Sequence, residues 1–229
     1  MIESYLALGD WEKADLYYNY LFYIQEKAFG GRDPRIVPVL DRLANWNLRA
    51  FNIGFDDNLG MRLSTAQILF GAAAQIVSVH FGKNDERFAE YQRNIANSAY
   101  LVSKHPELMR DINSPEFRIN EDALRRRISA GDETSSQGFQ TGEKALLAVL
   151  NHEREEADSP QALAEAIADL ADWYLLYHQR RAAAELYAEA WQVLSEAENS
   201  EELLESFFGH VVPLPTFLAA PTSLVFSSA

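Results

Sequence analysis

Phe29-Gly30-Gly31-Arg32-Asp33-Pro34-Arg35 and, 52 residues later, Phe81-Gly82-Lys83-Asn84-Asp85-Glu86-Arg87 decide how this chain folds. The two stretches share Phe, Gly, Asp and Arg at the same places, and the likeness continues outward. Ala44 and Asn45 recur as Ala96 and Asn97, while Ala14, Leu16, Ile24 and Leu43 map onto Ala66, Ile68, Ile76 and Ile95. A match that covers two apolar segments and the turn between them is an internal repeat. Each copy reads as a helix with Ala and aromatic residues at three- and four-residue spacing, a Phe-Gly stop with a short polar turn, and a second helix. Gly30 and Gly82 suit a left-handed C-cap. Asp33 before Pro34, and Asp85 before Glu86, place an N-cap acceptor ahead of residue types favoured in a first helical turn.

The rest of the 229 residues agrees with a helical reading. Hydrophobic residues make up 48% of the chain, enough for a sizeable core and too many for intrinsic disorder. Leu, Ala, Glu and Tyr dominate, and alternating runs of Val, Ile and Thr are almost absent, so the strand template finds little to match. The expected fold class is all-α. A net charge of -14 repels phosphate backbones and anionic lipid, which argues against nucleic-acid binding and a peripheral membrane role. From Glu143 to Glu205 there are 15 acidic and 4 basic residues, so a basic partner would be drawn to the C-terminal third. Cysteine is absent, which excludes disulfides and thiolate chemistry but fits cytoplasm and periplasm equally. Met1 to Asp10 lacks the pattern of a signal peptide, and no stretch reads as the roughly 20 apolar residues of a membrane span. No membrane insertion is expected.

A further helical unit runs from Ala168 to Leu194. Leu170, Ala171 and Tyr174, followed by Ala183, Tyr187 and Ala190, resemble the tetratricopeptide repeat signature of large and small residues on two antiparallel helices. The small residues would let helix backbones approach closely while the tyrosines fill the gaps beside them. The opening segment is similar to the same family at Gly9, Asp10, Trp11, Ala14 and Tyr18. Glu26, Lys27, Phe29-Gly30 and Asp33-Pro34 resemble the longer kinesin-light-chain-like variant. The resemblance implies a right-handed α-α superhelix of antiparallel hairpins, with irregular repeats, whose concave face binds a protein or peptide. Ala190-Trp191 and the Leu214-Pro215 tail resemble bacterial proteins that join such repeats to a TonB-like C-terminal domain.

Four segments follow from this reading: hairpins over 1–104, an irregular insertion over 105–141, hairpins over 142–208 and an apolar, proline-bearing tail over 209–229. The insertion holds a candidate helix, Asn120 to Ser129, and the polar run SAGDETSSQGFQTG, which reads as an exposed loop separating two helical halves. The connection from Asn52 to Leu63 is also longer than the family's linkers. Only about eight residues precede Gly9, and no polar capping helix closes the tail, so the chain is expected to be an excised fragment of a larger protein.

Motifs for chemistry are missing: no phosphate loop, dinucleotide fingerprint, HExxH or nucleophile elbow. No cofactor and no catalytic residue is expected. His152, Glu155 and Glu156 have the spacing of metal ligands on one helical face, but neighbouring Glu153, Arg154 and Asp158 make a solvated face the expectation. Asp56, Asp57 and Asn58 could offer oxygens to calcium, yet EF-hand spacing is lacking and turn chemistry accounts for them. Arg125, Arg126 and Arg127 before Ser129 resemble a kinase-substrate string, with an exposed helical edge paired to Glu121 and Asp122 as the plainer reading. His80, His105, His178 and His210 are scattered. Tyr17, Tyr18, Phe22, Trp46 and Trp191 read as core.

The binding candidates come from periodicity within the repeats. If Leu43 and Ala44, like Ile95 and Ala96, pack inward, then Asn45 and Asn97 point into the groove, with Arg42, Arg49, Arg93, Asn94 and Tyr100 nearby. Asn amides both donate to and accept from a peptide backbone, and arginines can hold a carboxylate. Merely stabilising inter-helix turns or contacting water is the plain alternative for the asparagines. Two rival functions are a structural module that self-associates into a homo-oligomer through its tail or its ends, and a helical metal enzyme built on His152.

Overall fold

The computed structural model describes residues 2–105, 137–157 and 159–209. All elements among them are helices, nine α-helices and one 3-10 turn, so the all-α class holds. They are α1 (Ile2–Leu8), α2 (Trp11–Phe29), α3 (Val37–Asn52), α4 (Leu59–His80), α5 (Glu86–Lys104), α6 (Gln137–Glu156), α7 (Pro160–Leu176), α8 (Arg180–Ser195) and α9 (Ser200–Phe208). Sequence neighbours pack on one another: α1 on α2, α2 on α3, α3 on α4, α4 on α5, and α7 on α8 on α9. The chain forms two compact units, Met1–Ala145 and Leu146–Ala229, with the division inside α6. The candidate helix Asn120 to Ser129, the arginine string and the tail from His210 onward lie outside the described residues.

The 52-residue repeat is present in the backbone and in its side-chain fastenings. Asp33 caps by accepting the Arg35 N–H at 2.9 Å, and Asp85 accepts the Arg87 N–H at 3.1 Å. Each arginine then closes a two-point pair on the same carboxylate, at 2.9 and 2.8 Å for Arg35 and at 2.7 and 2.6 Å for Arg87. Each also stacks over the phenylalanine at the C-terminal end of the preceding helix, 4.1 Å from the ring centre of Phe29, the last residue of α2, and 4.5 Å from that of Phe81, the C-cap of α4. Gly30 and Gly82 have φ of 85° and 90°, the conformation that excludes other residues. At Gly30 ψ is 155°, an extended mirror region rather than the left-handed helical cap expected from sequence.

Burial shows the same alternation further along. On α4, Leu63, Ala66, Leu69, Phe70, Ala73 and Ala74 are buried; on α6, 76 residues on, Phe139, Gly142, Ala145, Leu146, Val149 and Leu150 fall at identical spacings and are buried too. On α3 the buried set Val37, Val39, Leu40, Leu43, Ala44 and Trp46 has its counterpart on α7, 127 residues on, in Ala164, Ala166, Ile167, Leu170, Ala171 and Trp173. Two burial patterns thus take turns down the chain. Small residues sit where backbones come close: Ala14, Ala66 and Ala183 are each 0% exposed.

Three further sequence expectations need correction. Residues 137–142, read as the end of a polar loop, belong to α6. Glycine there is a packing device and not a turn signal, since a Cβ on Gly138 would lie 2.7 Å from the Ala99 carbonyl oxygen of α5. His152 is buried, 8% exposed, because it continues the apolar face of α6 instead of joining a solvated one. Finally, α4 is long and apolar enough by length and composition to cross a bilayer, although Arg62, Ser64 and Thr65 interrupt its apolar run; here it packs on α3 and α5 as a core helix of its unit.

Candidate partner-binding face

Arg42, Asn45 and Arg49 lie at three- and four-residue spacing, and all three are exposed on α3. Behind them Leu43 and Ala44 are buried at 3% and 0% exposure, as the inward register requires. On α5 Asn97 is exposed, Arg93, Asn94 and Tyr100 are half-buried, Ala96 is buried and Ile95 only half so. Arg93, Asn97 and Tyr100 share one row of α5, at four- and three-residue spacing, whereas Asn94 sits one position off it.

Local bonds set what this face offers. The Asn45 amide donates to the Asp41 carbonyl and to Asp41 Oδ1, both at 3.0 Å, so its donors serve its own helix. Burial pushes the Asp41 carboxyl up, against the opposing effects of the Asn45 hydrogen bond and the Arg42 charge. Arg49 holds its guanidinium 5.0 Å from the Trp11 ring, which props it in place over the start of α2. Lys104 reaches to 5.3 Å from the Tyr100 ring. The α3 row therefore sets Arg49, held against Trp11, beside the Asn45 amide.

A second polar constellation was not foreseen from sequence. Trp46 Nε1 and Arg62 Nη1 both donate to Asp15 Oδ1 at 2.6 Å, and Arg62 continues to Asp56 Oδ2 through Nη2 at 2.6 Å and Nε at 3.1 Å. Asp56 Oδ1 also accepts the Asn58 N–H at 3.0 Å. The Asp56 carboxylate thus engages Arg62 and caps a turn. Its members come from α2, α3, the following loop and α4, separated by up to 47 positions, so no local pattern announces them. The only trace is a charged Asp15 directly after the fully buried Ala14.

His152 and the exposed Glu155 and Glu156 face different surroundings on α6, so the metal-like trio does not converge. Among the described residues no group of three or more His, Asp or Glu is placed to hold a metal ion. His80 Nε2 lies 3.1 Å from the Arg32 carbonyl and the His105 ring packs 5.5 Å from Phe51, both structural contacts. On α8 Tyr187 donates a hydrogen bond to Asp172 of α7, and burial together with that bond pushes its phenol up. No known family model matches the sequence, and no curated protein matches it significantly.

Proposed function

We propose that the protein is a non-catalytic interaction scaffold, a superhelix of irregular tetratricopeptide-type hairpins that binds a peptide or partner helix along α3 and α5. The observation that carries the reading is the repeated placement of Asn45 and Asn97. Each stands exposed directly after a buried alanine, on helices equivalent under the 52-residue repeat, with arginines one turn away. A solvated helix face has no need for the same amide at the same repeat position. A groove reading an extended backbone does, because amide oxygens satisfy backbone N–H groups regardless of sequence.

Electrostatics favours an acidic or carboxylate-bearing ligand at this face. Residues 2–105 hold 12 acidic and 11 basic side chains, so the arginines of α3 and α5 stand in a nearly neutral part of a strongly acidic chain. Affinity capture with the intact chain, beside a variant carrying Asn45, Arg49, Arg93 and Asn97 all as Ala, tests the reading. A partner retained by the parent and lost by the variant, with unchanged circular dichroism, supports it; identical captures from both refute it.

A further inference from the structure

The outer side of α4 carries Met61, Thr65, Ile68, Ala72, Gln75 and Val79, spaced four, three, four, three and four residues apart. That is the row a helix presents to a partner helix in a coiled coil. Met61, Ile68 and Val79 are 59%, 70% and 73% exposed, and no charged residue interrupts the row. On α2 the positions 52 residues earlier hold Lys13, Leu16, Tyr20, Tyr23 and Lys27, with Leu16, Tyr20 and Tyr23 again more than half exposed. The corresponding rows on α6 and α8 are what water requires. They carry Lys144, Asn151 and Glu155, and Glu185, Glu189 and Gln192. The same position in the repeat is therefore polar on two helices and apolar on two.

We propose that this α2 and α4 face is the contact surface for a second copy of the chain, laid antiparallel on itself. Three observations point to that occupant. The α4 row offers no charge for a charged partner to match, so what covers it must itself be apolar, and the face is its own complement. The α2 row is flanked by Glu12 at one end and Lys27 at the other, so an antiparallel copy brings Glu12 near Lys27 at both ends, while Lys13 stays paired with Asp10 of its own chain at 2.6 Å. Residues 2–105, with 12 acidic and 11 basic side chains, are themselves nearly neutral, so two copies of this part meet with little mutual repulsion. This inference concerns a different face from the arginine and asparagine rows and stands independently of them.

Sedimentation of the full chain tests it. The parent is expected to sediment as a dimer at tens of micromolar. Leu16→Glu with Ile68→Glu, both at exposed positions, is expected to weaken the dimer more than about a hundredfold by setting like charges across an apolar contact. Leu16→Lys with Ile68→Lys should do the same. Mixing the two variants should restore a dimer, which misfolded chains could not do. A monomeric parent overturns the proposal; if that monomer pelleted with neutral phosphatidylcholine vesicles, the face would be assigned to lipid instead. A Glu variant that remains dimeric, or a mixture that remains monomeric, overturns it as well.

Discussion

Arg62 holds three elements together with one guanidinium, and its replacement exposes how. Arg62→Ala leaves Asp15 and Asp56, whose side chains are only 23% and 28% exposed, without their common cation. The expected loss is about 2–3 kcal/mol by chemical denaturation, below the figure for fully buried pairs because water reaches both acids. The repeated Asp-x-Arg fastenings act at the surface and show themselves through pH. The Arg35 hydrogen bonds hold the Asp33 carboxyl down to about 2, and Arg87 holds Asp85 below its ordinary value in the same way. A carboxylate depressed in the native state stabilises above its unfolded value of about 3.9, and that contribution disappears as pH falls through the native value. Asp33→Asn with Asp85→Asn should therefore melt below the parent at neutral pH. The two melting temperatures should converge as the pH is lowered toward about 2. The caps and the exposed Asn45 and Asn97 were legible in the sequence because each depends on neighbours within a few positions. The Asp15, Trp46, Asp56 and Arg62 network was not, because its partners meet only after three elements have packed.

At the scale of the helix, glycines separate packing from punctuation. Gly138 of α6 sits against α5 so closely that a Cβ would meet the Ala99 oxygen at 2.7 Å and Ser103 Cβ at 2.8 Å. Gly71 in α4 has nothing within 4 Å of the same position. Gly138→Ala is expected to cost about 1–3 kcal/mol through overpacking, while Gly71→Ala gains roughly 0.5–1 kcal/mol from helix propensity. Thermal unfolding of the two variants should thus shift in opposite directions. Sequence reading treated Gly138 and Gly142 as loop residues because Ser, Thr and Gly crowd around them. The periodic burial of Phe139, Gly142, Ala145 and Leu146 overrides that composition. His152 was misplaced for a related reason, as the charges next to it in sequence lie on other sides of α6.

Across the whole molecule, the 52-residue repeat was readable because two copies keep residue identities at their turns. The registers linking α6 to α4 and α7 to α3 were not, since they conserve burial and approximate volume while Leu63 gives way to Phe139 and Ala66 to Gly142. The intervening 106–136 segment also breaks the constant offset. What joins these scales is a chain of alternating helices that leaves Arg42, Asn45 and Arg49 of α3 and Asn97 of α5 exposed while burying Ala44 and Ala96 beside them. Calorimetric titration of the captured partner into three proteins tests that most directly: the parent, the Asn45, Arg49, Arg93 and Asn97 to Ala variant, and a control with Glu185 and Glu189 as Ala. The account predicts that the control binds like the parent, and that the four-residue variant binds at least about tenfold more weakly, equivalent to the loss of one or two hydrogen bonds. Equal affinity of the four-residue variant and the parent would contradict it.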